Sequence, residues 1–346
     1  MTRLSRLPTR RTVVGGLVAA PAILSWATRA QAAPTVLKIS HQFPGGTIDE
    51  GDFRDRLCRK FAVELEKRTS GAMKAEVYAG SSLMKTNAQF GAMRKGALDM
   101  SFYPLPYAGG EIPELNIGLM PCLVSTYKQG AAWKNGEIGR ELTRILSEKG
   151  IVLVCWVWQS GGVACRANKI VTPADAKGQK VRGGSREMDL MFKAAGAAVL
   201  SIPSNESYPA MQTGAADAII TSSTSLISFR LEELSKHLTS GRGKSFWFML
   251  EPLMMSKLVF DALPKEQQAA IMAVGESLEA FGTQAAQKDD ELVGEIFKKK
   301  GAQVHDLDDA ALGQWRELAA ATAWKDYEGK SATAAKLLKL ALAVAA

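Results

Sequence analysis

Three histidines are all that the 346 residues contain, and none has a second histidine or an acid at metal-ligand spacing. The four cysteines, Cys58, Cys122, Cys155 and Cys165, form no C-x-x-C pair. Those scarcities argue against a thiolate or imidazole metal centre and a disulfide framework. No G-x-G-x-x-G follows a strand pattern, and no serine stands in a G-x-S-x-G elbow. Gly241-Arg242-Gly243-Lys244-Ser245 ends like a phosphate loop, but Leu238 stands where its first glycine is required. No catalytic residue, metal or cofactor is expected. Charge of one sign is also scarce beyond residues 1–32, which carry five Arg and no acid, leaving 38 basic against 35 acidic side chains. Without a basic stripe, a nucleic-acid partner is not expected.

What is present is an ordinary globular balance, 47% hydrophobic and 23% charged, in a length that suggests two domains. The chain opens with an address. Thr9-Arg10-Arg11-Thr12-Val13-Val14 is a twin-arginine pattern, the apolar run Val13 to Leu24 follows, and Ala30-Gln31-Ala32 has small residues at the −3 and −1 positions of a cleavage site. Residues 1–32 therefore read as an export signal cut near Ala32, placing the mature chain in the periplasm. The apolar run falls short of the roughly 20 residues that span a bilayer. Twin-arginine cargo folds in reducing cytosol, so the four cysteines are expected as buried thiols.

Strand and helix patterns alternate along the mature chain, predicting α/β architecture with largely parallel sheets. Val36 to Ser40 and Lys74 to Tyr78 read as strands. Phe53, Leu57, Phe61 and Leu65 recur at helical spacing with charges on the other face. One helix is expected over Ala131–Ser147, and one buried strand over Ile151 to Trp158. A partial repeat is the most informative internal signal. Ala92-Met93-Arg94-Lys95-Gly96-Ala97-Leu98-Asp99 aligns with Ala210-Met211-Gln212-Thr213-Gly214-Ala215-Ala216-Asp217. Each copy is a helix end, a glycine and a strand entered through Asp, which predicts two similarly wound lobes with a ligand cleft between them.

Lys180-Val181-Arg182 followed by Gly183-Gly184-Ser185 outlines an anion cradle: Ser185 caps a helix, Gly184 exposes backbone N–H groups, and Arg182 offers a planar fork to a carboxylate. The alternative is a surface arginine before an ordinary turn. Thr221 and Ser222 follow a buried strand pattern at a position where open sheets contact ligands, or else they belong to a solvated loop and helix cap. Trp158 and Trp247 either line the cleft or fill the core. Glu251, alone in an apolar run, binds a cationic or hydroxyl group or is a buried paired carboxylate. The histidines His41, His237 and His305 fit surface or cleft positions.

The stretch Asn168 to Arg182 is similar to the segment that leads to the substrate arginine in DctP-type solute-binding proteins, the periplasmic receptors of tripartite ATP-independent periplasmic (TRAP) transporters. The similarity continues through Phe192–Ala197, Tyr208–Gly214 and Leu263–Gln268, and upstream through Arg68–Gly71 and Arg94–Asp99. It implies a two-lobed periplasmic binding protein, type II-like, with a long helix crossing both lobes. Lobe I would comprise 34–158 and about 248–287, and lobe II 159–247 and about 288–346. The implied function is that of a monomeric receptor, without catalysis, which binds a small organic acid through Arg182 and delivers it to small and large membrane subunits. The alternatives are a receptor of similar fold for a sensor or another transporter, and an exported enzyme. Sialic-acid receptors of the family carry a second arginine where Gly162 stands here, and Arg166 is the candidate substitute; many members have Asn where Thr221 stands. Lobe I contacts would come from Gln42, Phe43, Tyr103 and Tyr107. These departures favour a monocarboxylate over a C4-dicarboxylate or sialic acid.

Overall fold

The computed structural model describes residues 33–345, so the export signal expected over 1–32 lies outside the described residues. In chain order the strands are β1 (Thr35–Ser40), β2 (Met73–Tyr78), β3 (Met100–Phe102), β4 (Ile151–Cys155), β5 (Trp158–Cys165) and β6 (Lys180–Arg182). The series continues with β7 (Ala198–Val199), β8 (Ala218–Ser222), β9 (His237–Ser240), β10 (Phe248–Leu250), β11 (Leu253–Ser256) and β12 (Gln303–Asp306). Two sheets form: β2-β1-β3-β11-β4 in the first lobe, and β12-β9-β5-β8-β6-β7 in the second, with β10 paired to β5. The architecture is the expected two-lobed α/β fold, but the sheets are mixed. β11 runs antiparallel to β3 and β4, and β5 antiparallel to β8, β9 and β10.

The mixing follows from chain crossings. The chain passes from β4 to β5 through Trp156 and Val157, and returns from β10 to β11 through Glu251 and Pro252. The expected single strand Ile151 to Trp158 is therefore cut where it changes sheets. The crossings are tied together by Glu251 N–H donating to Val157 C=O at 2.8 Å. A third link is the long helix Glu279–Lys299, preceded by Lys265–Ser277. Its Ala286 packs in the first-lobe core, and its Val293 and Phe297 pack in the second.

Local chemistry accounts for the elements around these crossings. Helix Phe53–Arg68 is capped by Asp52 and buries Phe53, Leu57, Phe61 and Leu65 at 1% exposure or less. Removing each such side chain from water contributes about 1.5–3 kcal/mol. The helix expected over Ala131–Ser147 is two, Tyr127–Asn135 and Glu137–Glu148. Gly136 between them is extended (φ −81°, ψ 176°), and Gly139 lies where a Cβ would come within 2.1 Å of the Trp133 carbonyl. The sharp turn thus requires glycine.

The partial repeat has the same meaning in both lobes. Gly96 and Gly214 adopt positive φ (71° and 78°), ending a helix before β3 and β8. The Asp99 carboxylate then accepts the Lys38 N–H of β1 at 2.7 Å, and the Asp217 carboxylate accepts the Lys180 N–H of β6 at 2.9 Å. Each Asp locks its strand to the parallel neighbour.

The segment 288–346 does not pack as one block. Helix Asp309–Ala319 fills the second-lobe core through Trp315, whereas helix Ala332–Leu342 sends Leu337, Leu338 and Ala341 into the first-lobe core. All four cysteines are buried free thiols, as expected.

Candidate functional site

Arg182 ends β6, two residues before Gly184, whose φ of 92° turns the chain into helix Arg186–Ala194. A Cβ on Gly184 would stand 2.9 Å from Arg182 Nη1, so glycine there serves both the turn and the guanidinium. Arg182 is only 1% exposed. Its Nε donates to the Ile202 carbonyl at 2.9 Å, Nη1 to the Ile220 carbonyl at 3.0 Å, and Nη2 to the Tyr107 hydroxyl at 2.6 Å. All three acceptors are neutral, and a guanidinium has five donors. A buried guanidinium without a hydrogen-bonded anion is costly, and the Asp189 carboxyl, near enough to feel its charge, does not hydrogen-bond to it. The reading of Arg182 as a surface residue is thus set aside.

Tyr107 belongs to the first lobe and Arg182 to the second, so their bond crosses the seam. The same hydroxyl accepts the Ser204 N–H at 3.0 Å. Tyr107, Gly184, Ser185, Asp189 and Ile202 border a cavity of about 490 Å3. The Asp189 carboxyl on that border is pushed up to about 6 by burial, with Arg182 and the Gly183 N–H pulling the other way. A larger cavity of about 900 Å3 lies elsewhere, between Ala320–Glu328 and Ala335–Leu342, away from these groups.

Ser185 is the helix cap that its position predicted, accepting the Met188 N–H at 3.1 Å. Its own hydroxyl donates to the Leu119 carbonyl at 3.0 Å, so its proton is already placed. Thr221 and Ser222 end β8, the strand whose Ile220 carbonyl holds Arg182, and are 3% and 1% exposed. Ser222 caps helix Ser223–Ser228 and accepts Arg54 Nη1 at 3.3 Å. Trp247 rests its ring where a Cβ on Gly161 would fall and points Nε1 toward the Gly183 carbonyl at 3.4 Å, placing it beside the Arg182 turn.

Two expected residues stand elsewhere. Cys165 of β5 pairs with Ala218, at the start of β8, so Arg166 lies beyond the end of β8 opposite to Thr221. Its Nη1 approaches Gly214, 2.8 Å from where a Cβ would be, and it does not join Arg182. Arg166 is therefore no substitute beside Arg182, because β5 runs antiparallel to β8 and carries it to the opposite end of that strand. Trp158 packs edge-on to Trp133 at 5.0 Å and against Phe248 at 6.4 Å within the first-lobe core. The histidines likewise serve structure: His41 is buried on Asp55 at 3.1 Å, and His237 and His305 face each other at 3.2 Å. In the loop resembling a phosphate cradle, Arg242 pairs with Asp306 and Lys244 with Asp309.

The important residue that periodicity missed is Arg54. Its place in the first turn of an amphipathic helix assigned it to the solvated face, yet it is 1% exposed. Asp52, the helix cap two residues earlier, holds it through Oδ1 at 2.9 Å and Oδ2 at 2.6 Å. Its guanidinium carbon lies 3.6 Å over the Phe43 ring, and Nη1 reaches Glu251 at 3.2 Å. The Asp-x-Arg spacing at a helix start was the available signal. Glu251 is fully buried on the chain crossing and also accepts the Gln159 amide. Burial pushes its carboxyl up to about 7, with Arg54 and Gln159 opposing. Gln42, 2% exposed beside Phe43, has both amide atoms without a partner. Tyr103, 1% exposed, stacks on Phe90 and meets the Tyr107 ring edge-on, 5.9 Å between centroids in both pairs. Arg54, Phe43, Glu251 and Ser222 thus form one buried cluster and Arg182 with Tyr107 another, and both clusters touch β8, at Ser222 and at the Ile220 carbonyl.

Comparison with known proteins yields a consistent set of likenesses. Residues 49–330 match the family described as bacterial extracellular solute-binding protein, family 7, DctP. A solute-binding protein of Albidiferax ferrireducens is 62% identical over 95% of this chain and 96% of its own. The C4-dicarboxylate-binding periplasmic protein of Rhodobacter capsulatus is 28% identical, covering 89% of this chain and 91% of its own. Among solved structures, a TRAP periplasmic solute-binding protein of Rhodoferax ferrireducens, with bound malonate, superposes with a TM-score of 0.87. It is 64% identical and covers 88% of this chain and 96% of its own.

Proposed function

The chain belongs to the family-7 bacterial extracellular solute-binding proteins, and we propose that it is a periplasmic receptor whose lobes close on a small organic acid held by Arg182. The observation that carries the reading is the buried guanidinium on the seam, provided only with neutral acceptors. A carboxylate against its free donors supplies the hydrogen-bonded anion that Asp189 does not and joins the lobes, so the ligand favours the closed state. The moving bodies are 34–158 with about 248–287, and 159–247 with about 288–331; the last helix moves with the first lobe. Crossings at Trp156-Val157 and Glu251-Pro252 are the hinge. The protein acts as a monomer without catalysis, handing its ligand to small and large membrane subunits of a TRAP transporter. The twin-arginine route carries it out, with cleavage near Ala32.

Calorimetry against a panel of organic acids, with Arg182→Ala alongside, tests this function. Loss of a buried charge pair costs on the order of 2–5 kcal/mol, so an acid bound by the wild type is expected to lose most of its affinity. An acid whose affinity survives Arg182→Ala removes the anchor. Replacing Arg10 and Arg11 by Lys is expected to leave the precursor in the cytoplasm.

A further inference from the structure

The buried cluster around Glu251 carries a different polarity from the Arg182 end. Arg54 commits donors to Asp52, Ser222 and Glu251, so its charge is already met. What remains open there is mostly acceptor: Glu251 Oε1 and Gln159 Oε1 are buried and unpartnered, as is the whole Gln42 amide. Buried polar atoms rarely lack partners in folded proteins, and here Glu251 and Gln159, bonded to each other, each keep one open oxygen. The Glu251 cluster and Arg182 touch β8 two residues apart, at the Ser222 hydroxyl and the Ile220 carbonyl, a span of about 7 Å along a strand.

We propose that Glu251 selects the ligand class: a monocarboxylate whose end remote from Arg182 carries a hydroxyl or N–H donor, in preference to a dicarboxylate. The inference rests on the carboxylate-receptor reading above. A donor satisfies Glu251 Oε1, whereas a second carboxylate meets Glu251 and Asp52 with only Arg54 between them, placing like charges together. Burial pushes the Glu251 carboxyl up to about 7, so discrimination is sharpest above that pH, where the group is ionised. Arg54, Asp52 and Gln159 are the charged and polar groups that face it. Glu251 also lies on the crossing that hydrogen-bonds to Val157, so a ligand bonded to it contacts the hinge itself.

Three four-carbon acids that differ at one end, butyrate, 4-hydroxybutyrate and succinate, provide the test by calorimetry at pH 8. The wild type is expected to bind 4-hydroxybutyrate at least about tenfold more tightly than either of the others. Glu251→Gln, which keeps Asp52 as the partner of Arg54, is expected to narrow the gap to succinate by about tenfold or more. Arg182→Ala is expected to weaken all three. Succinate binding most tightly to the wild type, a preference unmoved by Glu251→Gln, or no binding of any of the three overturns the proposal. In the first two cases sensitivity to Arg182→Ala preserves the carboxylate reading, while binding that survives Arg182→Ala defeats that reading instead. The wild-type order needs no variant to fold, and malonate in the same titration is expected to follow succinate.

Discussion

Tyr107→Phe removes one oxygen from the seam and nothing from the core. That oxygen accepts Arg182 Nη2 at 2.6 Å and the Ser204 N–H at 3.0 Å, bonds that hold the proposed closed state together. A hydrogen bond to a charged group contributes about 1.5–3 kcal/mol and a neutral one about 0.5–1.5 kcal/mol. Their loss raises the closed state by about 2–4 kcal/mol, while in an open state water serves both donors. An equilibrium moved by that amount lowers the affinity of a ligand that needs closure by about 30- to 1000-fold. The Tyr107 ring, half-buried against the first-lobe core, remains in place, so the ligand-free melting temperature is expected to stay near the wild-type value. The assay pairs calorimetry, using the tightest acid of the panel, with thermal unfolding of the free protein. A fall in melting temperature with affinity unchanged would refute the latch and assign the hydroxyl a purely structural role.

Further expectations follow from individual side chains. Gly184→Ala forces a Cβ into positive φ and against Arg182, and is expected to cost about 1–2 kcal/mol in urea unfolding and to weaken acid binding. Arg166→Ala, at the opposite end of β8, is expected to leave that affinity unchanged, separating it from Arg182→Ala. Glu187 is fully buried, neither oxygen accepts a hydrogen bond, and Arg186 Nη1 stands 3.5 Å away; burial pushes its carboxyl up to about 7. A carboxyl raised in the folded state stabilises the fold in its protonated form, and that contribution is lost as pH rises from the ordinary carboxylate range to about 7. Glu187→Gln is therefore expected to melt above the wild type at pH 8, the gap closing toward pH 4.5; a constant gap would show that the carboxyl is not the titrating group.

Much of this molecule is written locally. The helix cap at Ser185, the glycine at 184 and the paired Asp99 and Asp217 repeats depend on neighbours within a few residues, so spacing alone exposes them. Hydrophobic periodicity located helix Phe53–Arg68 for the same reason. Helix and strand ends set by glycine geometry were less visible, as at Gly136, where one expected helix is two.

Sequence order alone determined the two wound lobes, the buried thiols and the glycine turn after Arg182, because each follows from short-range pattern and residue chemistry. Tertiary structure alone decided which polar groups meet. Arg54 turned inward because Asp52, Glu251 and the Phe43 face offset its desolvation, and Arg166 went to the far end because β5 runs antiparallel to β8. Charge on a helix face predicts water only when no distant partner, here 197 residues along the chain, arrives to replace it.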